Sequence, residues 1–88
     1  MKIYVKFLGP YMEKAGTSDD EVEIDNEITL GELLELMARK YNITELLNFP
    51  NSQEVAVLVN GTQADDVKKR LSDGDEVVIL PALAGGCS

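Results

Sequence analysis

Asp75-Glu76-Val77-Val78-Ile79-Leu80-Pro81-Ala82-Leu83-Ala84-Gly85-Gly86-Cys87-Ser88 ends the chain, and its first half decides the fold. Val77 to Leu80 is wholly apolar and half β-branched, which suits a strand covered on both faces, in the middle of a sheet. Pro81 is expected to stop the ladder, because proline has no N–H to donate and fixes its own φ. Small and apolar residues follow, Ala82, Leu83 and Ala84, and then Gly85-Gly86. Without a Cβ, that pair can thread a slot too narrow for other residues. A central strand ending in so slim a tip implies that the chain upstream is built to hold the tip out.

Moving outward, Asp73-Gly74 supplies the turn into this strand, with Val67 and Leu71 as loop anchors before it. Glu54 to Val59 reads as another strand, with Val55, Val57 and Val59 on one face and Ala56 and Leu58 on the other. It runs into Asn60-Gly61, a favoured hairpin turn, and Thr62 to Asp66 offers a short partner strand. Thr29-Leu30-Gly31-Glu32 fits a capping box, in which the threonine hydroxyl takes a free N–H and the glutamate reaches back to the cap. The helix it opens carries Leu30, Leu33, Leu34, Met37, Ala38 and Tyr41 on one face, with Glu32 early and Arg39 and Lys40 late, as the helix dipole prefers. Asn42 is a stop, and Ile43 to Leu47 makes a short turn. At the other end of the chain Lys2 to Leu8 alternates, with Ile3, Val5 and Phe7 inward, and Gly9-Pro10 ends it. Tyr11 to Ala15 allows one helical turn, and Glu21 to Ile24 is a second strand with Val22 and Ile24 inward.

The order strand, strand, helix, strand, short strand, strand defines an α+β domain. The first and last strands should lie side by side in a mixed sheet of four to five strands, with the one main helix across one face. That is the β-grasp arrangement, expected over residues 1–84 with a tail at 85–88. Its core should hold Ile3, Val5, Phe7, Val22, Ile24, Leu30, Leu33, Leu34, Met37, Val55, Val57, Leu71, Val77 and Ile79. On the sheet face away from the helix, Ala56, Leu58, Val78 and Leu80 should form an apolar patch that runs on through Pro81 to Leu83 and Ala84, a surface for a partner.

Composition narrows the chemistry. Sixteen acidic against eight basic residues give a net charge of −8, which repels a phosphate backbone and argues against nucleic acid. No stretch approaches the roughly 20 apolar residues of a membrane span, and the opening residues run into a strand pattern, so a cytoplasmic protein is expected. The one cysteine, Cys87, excludes a disulfide framework, and the lack of histidine removes the usual triads and general base. Asp19, Asp20, Glu21, Glu23, Asp25 and Glu27 read as a solvated edge.

These features together resemble the MoaD/ThiS family of ubiquitin-like sulfur carriers, across nearly the whole chain. The resemblance rests on Lys2 to Leu8, Thr29-Leu30-Gly31-Glu32-Leu33, Val57-Leu58-Val59-Asn60-Gly61, and above all Leu71-Ser72-Asp73-Gly74-Asp75-Glu76-Val77 followed by Leu80-Pro81 and Gly85-Gly86. With its extra segment Ile43 to Gln53, the chain is closer to the molybdopterin synthase small subunit than to the shorter thiamine type. The resemblance implies a carrier and cosubstrate, not itself an enzyme, with no bound cofactor. An E1-like enzyme would use ATP to adenylate the carboxylate of Gly86, reached through Gly85, and a thiocarboxylate formed there would donate sulfur inside a synthase subunit.

One feature departs from the simplest family pattern: Cys87-Ser88 follows the glycines, so Gly86 has no free carboxylate. Removal by a JAMM-type metalloprotease is the expected remedy, since a lone exposed cysteine lacks the base or cation that would make its thiolate reactive. A ubiquitin-like modifier joined to lysine through Gly86, and a β-grasp interaction module that is never activated, are the competing classes.

Overall fold

The last strand lies inside the sheet, paired on both edges, with the main helix over only one of its faces. The computed structural model describes residues 1–82. It contains β1 (Lys2–Phe7), α1 (Pro10–Ala15), β2 (Asp19–Glu23), α2 (Leu30–Tyr41), a 3-10 turn (Thr44–Asn48), β3 (Val55–Val59), β4 (Thr62–Gln63) and β5 (Glu76–Pro81). The sheet runs β2-β1-β5-β3-β4. β1 and β5 are parallel neighbours, Val5 opposite Val77, and the other pairings are antiparallel. The two outermost sequence strands thus form the middle of a mixed five-stranded sheet, the β-grasp expected from the order of elements. β2 lies two residues earlier than the sequence pattern suggested at its start.

α2 packs its apolar stripe onto one face of this sheet. Thr29 accepts the Glu32 backbone N–H at 3.2 Å and the Glu32 carboxylate accepts the Thr29 N–H at 2.9 Å, so both halves of the capping box are present. The next free donors of the first turn go to the loop before β5: Leu30 N–H bonds the Lys69 carbonyl and Gly31 N–H the Val67 carbonyl, each at 2.8 Å. Asn42 ends the helix in the left-handed region at φ 58°.

Twelve of the fourteen expected core residues are buried, from Ile3 to Ile79. Val22 and Ile24 are only partly buried, because β2 is an edge strand of the sheet. Tyr11, Ile28, Ala38, Ile43, Leu46 and Val59 complete the core. Tyr41 packs edge-on against Phe7 with ring centroids 5.1 Å apart.

The expected solvated edge needs one correction. The Asp20 side chain is largely buried and accepts hydrogen bonds from Lys40 Nζ at 2.8 Å and the Tyr41 hydroxyl at 2.6 Å. It faces α2 rather than water because even-numbered residues of β2 point to the helix side. Burial pushes its carboxyl upward, but the bonds from Lys40 and Tyr41 outweigh that and hold it below its usual value.

Candidate functional site

β5 carries the chain to the root of its tail, and the way that root is fixed corrects the expectation that Pro81 stops the ladder. On the β3 side pairing continues through Val55 opposite Pro81, and Ala82 N–H donates to the Glu54 carbonyl at 3.1 Å. The pairing ends only on the β1 side. There Leu8 N–H donates to the Ile79 carbonyl at 2.9 Å, and the next bond of a parallel register would run from residue 81 to the Leu8 carbonyl. Proline cannot make it, so its missing N–H falls where β1 has run out and costs the β3 ladder nothing.

Three residues that sequence reasoning did not assign to the site hold this root. The Tyr11 hydroxyl donates to the Glu54 carbonyl at 2.7 Å, so one oxygen ties α1 and Ala82 together. Burial of the Tyr11 ring, reinforced by the nearby Glu45 and Glu54 carboxylates, raises its phenol and keeps it a donor. Gly9, at φ +61°, lies against Pro81; a Cβ there would stand 3.3 Å from the proline ring carbons. Lys14 lies over the Tyr11 ring at 5.7 Å and pairs with Glu45. The available signal was Gly9-Pro10-Tyr11 immediately after an apolar strand, a turn whose aromatic residue had no stated place to go.

The outer face of the sheet brings together the residues expected to meet a partner. Ala56 pairs with Leu80, and Leu58 with Val78, across β3 and β5. Ala56, Leu58, Leu80 and Pro81 are half-buried, as expected of residues on an uncovered sheet face. Val78 shares the face but is only 9% exposed, because Leu58 and Lys6 flank it in the adjoining strands; it supports the patch and presents little surface. Leu8, one step beyond the Phe7–Ile79 pair, is 46% exposed and extends the patch. Lys6 and Glu76 pair at 3.2 Å on its border. Leu83, Ala84, Gly85, Gly86 and Cys87 lie outside the described residues.

The motif that most strongly marked the sequence sits at the opposite end of β5. The Asp73 carboxylate accepts the Lys2 N–H at 2.7 Å, and Asp75 accepts the Ser72 N–H at 2.8 Å and the Asn60 side-chain amide at 2.9 Å. Asn60 in turn accepts the Glu76 N–H through its side-chain oxygen at 3.0 Å. Gly74, at φ +87°, makes the turn possible. These residues join the start of β1, the β3–β4 hairpin and β5, so their role is architectural. Among the described residues there is no acidic or cysteine cluster that could hold a metal ion, and no helix long and apolar enough to cross a membrane.

The fold agrees with what the chain is similar to. The ThiS family profile matches residues 5–86. A molybdopterin synthase sulfur carrier subunit of Drosophila yakuba is 31% identical over 98% of this chain and 92% of its own length. A solved putative molybdopterin converting factor subunit 1 from Pyrococcus furiosus, 23% identical, superposes with a TM-score of 0.81 over 93% of this chain and 98% of that one. Subunit 1 or 2 in the protein–protein complex of the molybdopterin-converting factor from Helicobacter pylori matches at 26% identity and a TM-score of 0.66, over 98% of this chain and all of that one. With the family profile running almost end to end over a β-grasp sheet whose last strand precedes the diglycine in sequence, the chain belongs to the ThiS family of MoaD/ThiS-type sulfur carriers.

Proposed function

We propose that this protein is a cytoplasmic sulfur carrier and cosubstrate, rather than an enzyme, whose working group is the carboxylate of Gly86 once Cys87-Ser88 has been removed. An E1-like enzyme attaches AMP from ATP to that carboxylate, with release of pyrophosphate. A sulfur donor then displaces AMP to leave a thiocarboxylate. A carboxylate is a poor electrophile until its oxygen becomes a good leaving group, and a thiocarboxylate is a strong nucleophile at neutral pH. The sulfur passes to an acceptor inside a synthase subunit, with molybdopterin-type biosynthesis as the pathway the relatives favour. No cofactor is bound at any stage.

The observation that carries this reading is where the family match stops: it includes Gly85 and Gly86 and leaves out Cys87-Ser88. That boundary supports Gly86 as the working end, with the residues after it removed by a JAMM-type metalloprotease. The outer face, with Ala56, Leu58 and Leu80 over Val78, and on through Pro81 to Leu83 and Ala84, serves as the docking surface for both the activating enzyme and the synthase subunit. A partner gripping that face meets the root of the tail beside it, since Ala82 is pinned to Glu54.

The test compares a chain ending at Gly86 with the full chain, each given ATP and the cognate activating enzyme. The shortened chain should form the adenylate and then a species in which one oxygen is replaced by sulfur, while the full chain should stay inert. Equal activation of the two, or native protein that always retains Ser88, would remove the processing step. A ladder of reductant-resistant adducts joined through Gly86 to lysine would instead assign the protein to the modifiers.

A further inference from the structure

The two long edges of the sheet are unlike. β4 covers part of β3, but β2 pairs on one side only. Ile24 and Met1 exchange backbone hydrogen bonds at 2.8 and 3.0 Å, and Phe7 N–H bonds the Ser18 carbonyl at 2.9 Å, so the even-numbered residues of this segment face β1. Glu21 and Glu23 therefore turn their N–H and C=O groups outward, where they meet no backbone partner among the described residues. Such an edge is a template for a further strand.

Beside it runs a groove of about 510 Å³ between the β2–α2 connection and α2. Its floor is apolar: Ile28 is buried, Ile24 half-buried, and Leu36 on α2 is 44% exposed. Glu23, Asp25, Glu27, Glu32 and Glu35 line it with Arg39, which pairs with Glu35 at 2.7 Å; Lys2 reaches Glu21 and Glu23 at 3.5 and 3.8 Å and Arg70 reaches Glu27 at 2.7 Å, so the carboxylates of edge and groove still outnumber the cations beside them. The charge selects the occupant. A second copy would bring Glu21 and Glu23 against their own counterparts, and like charges opposed across a strand pair repel. A strand bearing lysine or arginine is attracted instead.

We propose that the open edge of β2 and the groove beside α2 form a docking site, separate from the tail and the outer face, for an extended basic segment of a partner protein. The segment adds as a strand next to Glu21 and Glu23. Side chains alternate along it, so apolar ones on the helix side seat on Ile24, Ile28 and Leu36 while the cationic ones meet the carboxylates.

A short synthetic peptide alternating lysine with isoleucine, titrated into the isotopically labelled full chain, tests this. Saturable shifts centred on Glu21, Glu23 and Leu36 are expected, with slowed hydrogen exchange at the Glu21 and Glu23 amides. Leu36→Glu should weaken binding by at least about tenfold, a loss of about 1.4 kcal/mol. Glu35→Lys should also weaken it, and neither exposed position threatens the fold. A peptide with glutamate in place of lysine should not bind. The assignment is overturned if no saturable shift appears at Glu21 and Glu23, if shifts spread over the acidic surface without amide protection, if they centre on Leu58 and Leu80, or if Leu36→Glu binds as well as the parent. Concentration-dependent self-association through β2 would likewise overturn it in favour of a second copy.

Discussion

The Tyr11 hydroxyl and the Ala82 N–H converge on one acceptor, the Glu54 carbonyl, at 2.7 and 3.1 Å. That shared oxygen couples a single-turn helix to the last described residue of the chain. Tyr11→Phe keeps the ring packed and removes only the donor, so it should cost about 1 kcal/mol in denaturant unfolding. Hydrogen exchange at the Ala82 amide should accelerate more than at Ile79, whose ladder lies deeper. Unchanged exchange at Ala82 would mean that Tyr11 does not steady the root.

Gly31 is the point where two opposing effects can be compared. Alanine there would gain about 1 kcal/mol of helix propensity. Its Cβ, however, would stand 3.0 Å from Val67 Cβ and 3.1 Å from the Val67 carbonyl oxygen, neither of which is the loose end of a side chain. Overpacking of that kind costs about 1 to 3 kcal/mol, and it also pushes away the carbonyl that accepts the Gly31 N–H. Gly31→Ala should therefore be net destabilising by about 1 kcal/mol, read from the urea midpoint.

Asp20 sets a pH dependence. Its folded-state carboxyl lies below the ordinary value, so the folded chain holds fewer protons there than the unfolded chain. The stabilisation is fully present above the unfolded value, near pH ~4, and is lost as pH falls through the folded value. Asp20→Asn should cost about 1 to 2 kcal/mol at neutral pH and flatten the acid side of the stability profile. A parallel acid profile for variant and parent would show that the Lys40 and Tyr41 bonds carry no such weight.

The outer face can be tested by charge. Leu58→Asp or Leu80→Asp should leave the amide spectrum folded, since both side chains already meet water, yet weaken binding to the activating enzyme by at least about 2 kcal/mol. Ala56→Ser, a smaller change at the partner of Leu80, should cost less. Binding that is untouched in a folded Leu58→Asp protein would move the docking surface elsewhere.

Much of this fold was legible because its signals are local. The Thr29 to Glu32 box, the Asn60-Gly61 hairpin and the Asp73-Gly74 turn each depend on residues a few positions apart, and each forms as expected. The apolar run Val77 to Leu80 did mark a central strand, but the expected coverage of both faces holds only on the helix side, since Leu80 on the outer face is half-buried. What the sequence could not reveal are meetings between distant residues. Tyr11 and Glu54 are 43 positions apart, and Asp20 finds Tyr41 across a helix. Pro81 was misjudged because a strand has two edges, and only geometry tells which one a missing N–H falls on. The tail itself, Gly85 and Gly86, was marked by composition and family pattern rather than by any contact.

β5 is held by a parallel ladder on one side and an antiparallel ladder on the other, and that arrangement governs how the domain bears load. On the proposed function, a partner that takes hold of the chain beyond Ala82 would pull on β5. The pull then acts on the bonds of both ladders together, in shear, instead of opening them one after another as a peeled edge would. On the proposed function, the strand that leads in sequence to Gly86 is thereby held on both edges, which favours resistance to traction.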